Sequence, residues 1–285
     1  MSTPRSFKQE LVGVFGYPVA ENPTQAMIEP AFDDLALDWR YLTVEVKPEA
    51  LGDAVRGARA MGWRGFNCTI PHKIKVIEHL DSLSPAAQAI GAVNCVIVRD
   101  GQLIGDNTDG KGFVASVEDV RSISGLSVVI LGAGGAARAI AVELALAGAG
   151  RITLYNRTAA TGQALAKHVV EQTGVATEFR PWDHDVVVEP NVDLLVNATS
   201  IGLFPDVEAR VAVDPSTLRA GLIVADVIPN PPRTRLIRDA TERGCVTLDG
   251  LGMLVNQGVI GIRLWSGLEP RPEVMRRALE LVFDS

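Results

Sequence analysis

The chain has 285 residues, 47% of them hydrophobic and 21% charged, which is the balance of a soluble globular protein and excludes a largely disordered one. Its length suits about two domains. A formal net charge of −7 and a pI near 5.2 exclude a generally basic surface, so neither nucleic acid nor a membrane surface is an expected partner, and an anionic substrate would need local cations.

Cys68, Cys95 and Cys245 are widely spaced and form no CxxC pair, so no metal site or disulfide framework is indicated and a reducing compartment fits. Met1 to Glu10 lacks the apolar core of a secretory leader, and no apolar run approaches the roughly 18 residues of a membrane span. A cytoplasmic protein is expected.

In chain order, the apolar run Leu11 to Gly16 predicts a buried strand. Thr24 is placed to cap a helix through Leu35, with Met27, Ile28, Phe32 and Leu35 on one stripe. A strand over Trp39 to Val46, a helix from Pro48 to Met61 and a strand over Gly65 to Thr69 follow. Such alternation implies a mostly parallel sheet covered by helices. Helices are predicted over Ile74 to Leu80 and Pro85 to Ile90, then a hairpin whose strands, Ala92 to Arg99 and Gln102 to Asp106, meet at Asp100-Gly101. Gly105 to Gly112 is a polar, glycine-rich loop, and Phe113 to Val120 a helix that leads to a junction at Ser122 to Gly125.

Ser127 to Leu131 has the unbroken apolar character of a central parallel strand. It runs into Gly132-Ala133-Gly134-Gly135-Ala136 and an alanine-rich helix to Ala147. Such a turn aims backbone N–H groups and the positive end of the helix dipole at one spot, which suits a pyrophosphate. The next strand, Arg151 to Tyr155, ends at Asn156-Arg157-Thr158 with no acid to bond ribose hydroxyls. Arg157 can hold a 2′-phosphate, so NADP is expected rather than NAD. Further strands are predicted over Asp193 to Asn197, Leu222 to Asp226 and Val246 to Asp249. Helices are predicted over Thr161 to Thr173, Arg233 to Arg243, Leu251 to Trp265 and Glu273 to Phe283.

Lys73 stands behind the short turn Asn67-Cys68-Thr69-Ile70-Pro71-His72, and Asp109 lies in the later glycine-rich loop. A lysine can stabilise and protonate the alkoxide that follows hydride delivery, and a carboxylate can orient the ammonium or accept a hydroxyl proton. The sequence leaves open which is the main proton donor. His72, beside Lys73, is expected to make a structural hydrogen bond rather than act as acid or base.

Together with Gly91-Ala92-Val93-Asn94, Asn107-Thr108-Asp109-Gly110, the Gly132 turn, Asn156-Arg157-Thr158, Asn197-Ala198-Thr199 and Asp249-Gly250-Leu251-Gly252-Met253-Leu254 with Gln257, the Lys73 stretch resembles the shikimate and quinate dehydrogenases. The motifs keep the family's order over nearly the whole chain. The resemblance implies an α/β protein of two domains. A mostly parallel substrate domain over residues 1–112 is completed by C-terminal helices over 251–285, and a Rossmann-type NADP domain occupies 113–250. It implies Lys73 and Asp109 as the catalytic pair and Asn67, Thr69, Asn94 and Gln257 as binders of ring hydroxyls. It also adds Thr199 and Gly250 to a cofactor set of Gly132, Ala133, Gly134, Gly135, Ala136, Asn156, Arg157 and Thr158. The expected activity is reduction of a cyclic ketone such as 3-dehydroshikimate by a monomer or homodimer.

The pattern breaks at the end of the substrate that carries its carboxylate. Where the family has two hydroxyl residues this chain has Asn22 and Thr24, and where it tends to have a tyrosine this chain has Pro229, which can donate nothing. Shikimate is the leading substrate, with a quinate-like, amino-substituted or other cyclic polyol as the alternative. A non-catalytic NADP sensor is the alternative from another class.

Overall fold

The computed structural model describes residues 7–283, so the stretch read above for a secretory leader lies mostly outside the described residues. The described chain gathers into two compact units, one formed by the chain up to Asp106 with Gly258–Val282, the other by Asn107–Gln257. No helix among the described residues is long and apolar enough to cross a membrane.

The first unit contains β1 (Glu10–Gly16), α1 (Thr24–Asp34), β2 (Trp39–Glu45), α2 (Leu51–Ala60), β3 (Gly65–Cys68), α3 (His72–Lys75), β4 (Ser82–Leu83), α4 (Pro85–Ile90), β5 (Cys95–Arg99) and β6 (Gln102–Asp106). Its sheet has the order β2-β1-β3-β5-β6-β4. Strands β2, β1 and β3 run parallel, whereas β5 turns back against both β3 and β6. The hairpin corner is Asp100-Gly101, both at positive φ (51° and 74°), the backbone a two-residue turn of right-handed twist requires. The core packs Leu51, Val55 and Ala58 of α2, the face expected from their spacing, against Phe15, Trp63 and Phe66, with the Phe15 and Phe66 rings stacked at 4.7 Å.

The second unit begins with α5 (Thr108–Glu118), β7 (Ser127–Leu131), α6 (Gly135–Leu146), β8 (Arg151–Asn156), α7 (Ala159–Thr173) and β9 (Thr177–Pro181). It continues through β10 (Leu194–Asn197), β11 (Ile223–Asp226), α8 (Arg235–Glu242), β12 (Val246–Leu248) and the first part of α9 (Gly250–Ser266), after which α10 (Pro272–Phe283) ends the described chain. The sheet order is β12-β11-β10-β7-β8-β9 and every pairing is parallel. Strand order reverses between β7 and β10, and in such sheets ligands bind outside the carboxyl ends of the strands at that point. Strand β9, not anticipated from sequence, is a half-buried edge strand whose five residues carry one large apolar side chain, Phe179.

Two elements start earlier than their sequence suggests. Asp109 is not in a loop but in the first turn of α5, where Asn107 caps the helix by accepting the Asp109 N–H (3.2 Å). The glycines that read as loop residues serve close packing. A Cβ on Gly110 would lie 2.5 Å from the Ala139 carbonyl of α6, and one on Gly112 would lie 2.7 Å from the Gln257 nitrogen of α9. Lys73 likewise lies in α3, which begins at His72 rather than Ile74.

Gly110→Ala should therefore force α5 off α6 and destabilise the protein by about 1–3 kcal/mol, as overpacking does. A urea midpoint unchanged from wild type would show that α5 can shift without cost.

Candidate functional site

In the first unit, the candidate substrate residues collect at the carboxyl ends of β1 and β3. A Cβ on Gly16 would lie 2.4 Å from Thr69 Cγ2, so glycine lets these two strand ends close up. Main-chain hydrogen bonds then fix the patch. Thr69 N–H donates to Phe15 O (3.0 Å), Cys68 N–H to Asn94 O (2.9 Å), His72 N–H to Thr69 O (2.8 Å) and Val93 N–H to Lys73 O (2.7 Å). Asn67, Thr69, Lys73 and Asn94 are thereby brought together, with Lys73 half-buried. His72 is buried, its Nε2 2.7 Å from Val46 O, the structural hydrogen bond expected of it.

The loop after β1 departs from its expected role. Thr24 does not cap α1 through its hydroxyl; the Asn22 side-chain oxygen instead accepts the Thr24 N–H (3.0 Å). Thr24 is buried, and its side chain lies near the phenol of Tyr41. Asn22 borders an open groove of about 600 Å³ whose lining includes Gln25, Glu29, Asp33 and Thr43, two of them acidic and none of the lining cationic.

Sequence reasoning missed Tyr41. It lies fully buried on β2, paired in register with Val12, and its hydroxyl donates to Asn67 Oδ1 (2.7 Å). Burial pushes the phenol well above its ordinary pKa, and the nearby Thr24 side chain opposes this. Its position in a strand with alternating burial gave no cue beyond a core aromatic.

In the second unit, the Gly132–Ala136 turn leaves β7 at the reversal of strand order. Gly132 has φ +106°, and a Cβ there would meet the Ala198 carbonyl at 3.0 Å. Gly134 and Gly135 face open space. Gly134 caps α6 without a side-chain partner, so the first-turn N–H groups are not occupied by a capping side chain. Small residues, open space and helix-end donors fit a dinucleotide pyrophosphate. Beyond β8, Arg157 and Thr158 are exposed, while Asn156 is turned inward, donating to Thr158 O and Thr161 Oγ1 (both 2.8 Å). Asn156 thus shapes the loop that presents Arg157.

Other candidate residues in this unit are also held by their neighbours. Thr199 donates to Asn197 Oδ1 (2.7 Å) and accepts the Ile201 N–H (3.1 Å). Gly250 permits close packing, since a Cβ would lie 2.2 Å from Ile228 O, beside Pro229. Gln257 is buried on α9, its Oε1 3.5 Å from the hydroxyl of Thr108, the residue before Asp109.

Asp226, which sequence reasoning did not single out, ties two loops together at the ends of β10 and β11. Its carboxylate accepts from Asn197 Nδ2 (3.1 Å), Ile228 N–H (3.1 Å) and Thr234 Oγ1 (2.8 Å), and Thr234 caps α8. Burial raises its pKa from 3.8 to about 6 against those three hydrogen bonds. Because the folded state holds this proton more tightly than the unfolded one, stability should fall as pH rises through that interval, by up to about 3 kcal/mol. An asparagine can keep the same contacts, its oxygen accepting the two N–H bonds. Asp226→Asn should flatten the stability profile across this range, as read by urea unfolding at a series of pH values; an unaltered slope would show that Asp226 does not titrate there.

Comparison with known proteins follows this geometry along the chain. The model of the shikimate dehydrogenase substrate binding domain matches residues 14–96, that of shikimate / quinate 5-dehydrogenase residues 115–204, and that of the shikimate 5′-dehydrogenase C-terminal domain residues 250–280. A shikimate dehydrogenase (NADP(+)) of Methanocaldococcus jannaschii is 40% identical over 277 residues, 95% of this chain and 96% of that protein. A shikimate dehydrogenase solved in complex with NADP+ is 38% identical, with a TM-score of 0.89 and 96% of each chain covered. The ligand-free 5-ketofructose reductase of Gluconobacter sp. strain CHM43 is 52% identical, with a TM-score of 0.95 over 98% of this chain and 100% of that one.

Proposed function

The chain belongs to the shikimate dehydrogenase family, and from that membership we propose that it is an NADP-dependent oxidoreductase interconverting shikimate and 3-dehydroshikimate or a close polyhydroxylated alcohol and ketone. The carrying observation is the patch in which Lys73 is tied by its own carbonyl to Val93, next to Asn94, and shares the end of β3 with Asn67 and Thr69. The curated relatives do not favour quinate, and they are enzymes rather than sensors.

The Gly132–Ala136 turn would hold the pyrophosphate of NADP and Arg157 its 2′-phosphate, and the bound cofactor would supply or accept the hydride. Asn67, Thr69, Asn94 and Gln257 hold the hydroxyls of the substrate. Lys73 stabilises the alkoxide that develops at the reacting carbon and delivers a proton to it, and in the reverse direction takes that proton back. Asp109, in the first turn of α5, accepts a substrate hydroxyl.

A second substrate reading has its own support. Thr24 is buried, Pro229 has no donor, and the groove beside Asn22 has acids and no cation. Losing a hydrogen bond to a charged group costs roughly 1.5–3 kcal/mol, a tenfold or greater loss of affinity. These features favour a substrate without a carboxylate, the class to which 5-ketofructose belongs, and the 52% identical reductase of that name fits it.

NADPH oxidation measured with 3-dehydroshikimate and 5-ketofructose tests both readings. A clear preference for the uncharged ketone selects the second, efficient turnover of 3-dehydroshikimate selects the first, and no turnover with either sinks the proposed activity. Lys73→Ala should lower kcat by roughly two decades while NADP affinity holds, as loss of a general acid does. Arg157→Ala should weaken NADP much more than NAD; equal losses in titrations with the two cofactors would remove Arg157 from the 2′-phosphate.

A further inference from the structure

Asn67 contacts the substrate in the function proposed above, and the inference here rests on that assignment. An asparagine amide has two N–H donors and one oxygen, and its two faces exchange on a half-turn, so it cannot by itself choose which it shows to a ligand. In this protein both sides of the Asn67 amide are engaged. Its Nδ2 donates to Asn94 O at 3.0 Å, and its Oδ1 accepts from Tyr41 Oη at 2.7 Å. A flipped amide would set Nδ2 against the Tyr41 hydroxyl and Oδ1 against the Asn94 carbonyl, where two acceptors would repel each other.

The residues around Tyr41 leave it little freedom. It is fully buried on β2, its N–H donates to Glu29 Oε1 (3.2 Å), and its ring packs on Trp265 at 6.3 Å between centroids. Trp265 is itself anchored through Nε1 to Val96 O (3.0 Å). The hydroxyl therefore bears on two candidate substrate residues, since it bonds Asn67 and Asn67 reaches Asn94.

We propose that Tyr41 is a positioning residue that, together with the Asn94 carbonyl, holds the Asn67 amide with its remaining N–H available to the substrate, so that this position reads an oxygen of the substrate as an acceptor. Tyr41 touches neither substrate nor cofactor in this scheme. Its effect passes wholly through the orientation of Asn67.

Tyr41→Phe keeps the ring and its packing while removing the hydroxyl. It should raise KM for the carbonyl substrate about fivefold, the worth of one orienting hydrogen bond, with kcat within about twofold of wild type and NADP affinity unchanged. In an Asn67→Ala background the same substitution should change KM no further. Equal KM increases in the two backgrounds, or a fall in kcat with KM unmoved, would overturn the proposal. Hydrogen exchange of the Asn67 side-chain amide, identified by its loss in Asn67→Ala, provides a readout independent of turnover. It should accelerate in Tyr41→Phe, and unchanged exchange would likewise overturn the proposal. An absence of turnover in the wild type would instead count against the proposed function, with the exchange measurement still deciding the role of Tyr41.

Discussion

The turning back of β5 against β3 is the constraint on which the substrate patch depends. A purely parallel sheet would carry the chain away from the end of β3 through a crossover. Here the chain returns at once, and the Asn94 carbonyl receives both the Cys68 N–H and the Asn67 side chain while Val93 N–H reaches Lys73 O. Four polar residues separated by up to 27 positions thus share one strand end through short bonds that need no flexible side chain to close them. Positioning by backbone is stiff, and it holds these polar groups in a fixed arrangement.

The second unit solves a different problem with a fully parallel sheet. Its reversal of strand order opens a crevice between β7 and β10, and small residues let the backbone itself form the wall. Around that crevice several polar side chains brace the loops: Thr199 bonds Asn197, Asn197 bonds Asp226, and Asp226 bonds Thr234. Asn156 does the same for the loop that carries Arg157.

The two glycine-rich segments show how similar compositions acquire opposite meanings. Gly134 and Gly135 border open space, where an added Cβ would meet nothing. Gly110 and Gly112 lie inside a helix because α6 and α9 press against it. Nothing local separates the two cases; the difference lies in what approaches the missing Cβ. The same holds for Thr24, legible as a helix cap yet buried with its hydroxyl making no cap.

The sequence by itself determined the class of the protein, the Asp100-Gly101 hairpin, the apolar face of α2, the strand feeding the phosphate turn and the ordered motifs that place it among the shikimate dehydrogenases. These are legible because each rests on local conformational preference or on residues close together in the chain. Only the tertiary structure decided that Asp109 opens a helix, that Tyr41 and Asp226 govern the polar networks, and that the Asn22 oxygen, not the Thr24 hydroxyl, meets the start of α1. Those outcomes depend on which partner arrives across the fold, and hydrogen bonding between residues far apart in sequence leaves no periodicity or spacing from which the partner can be read.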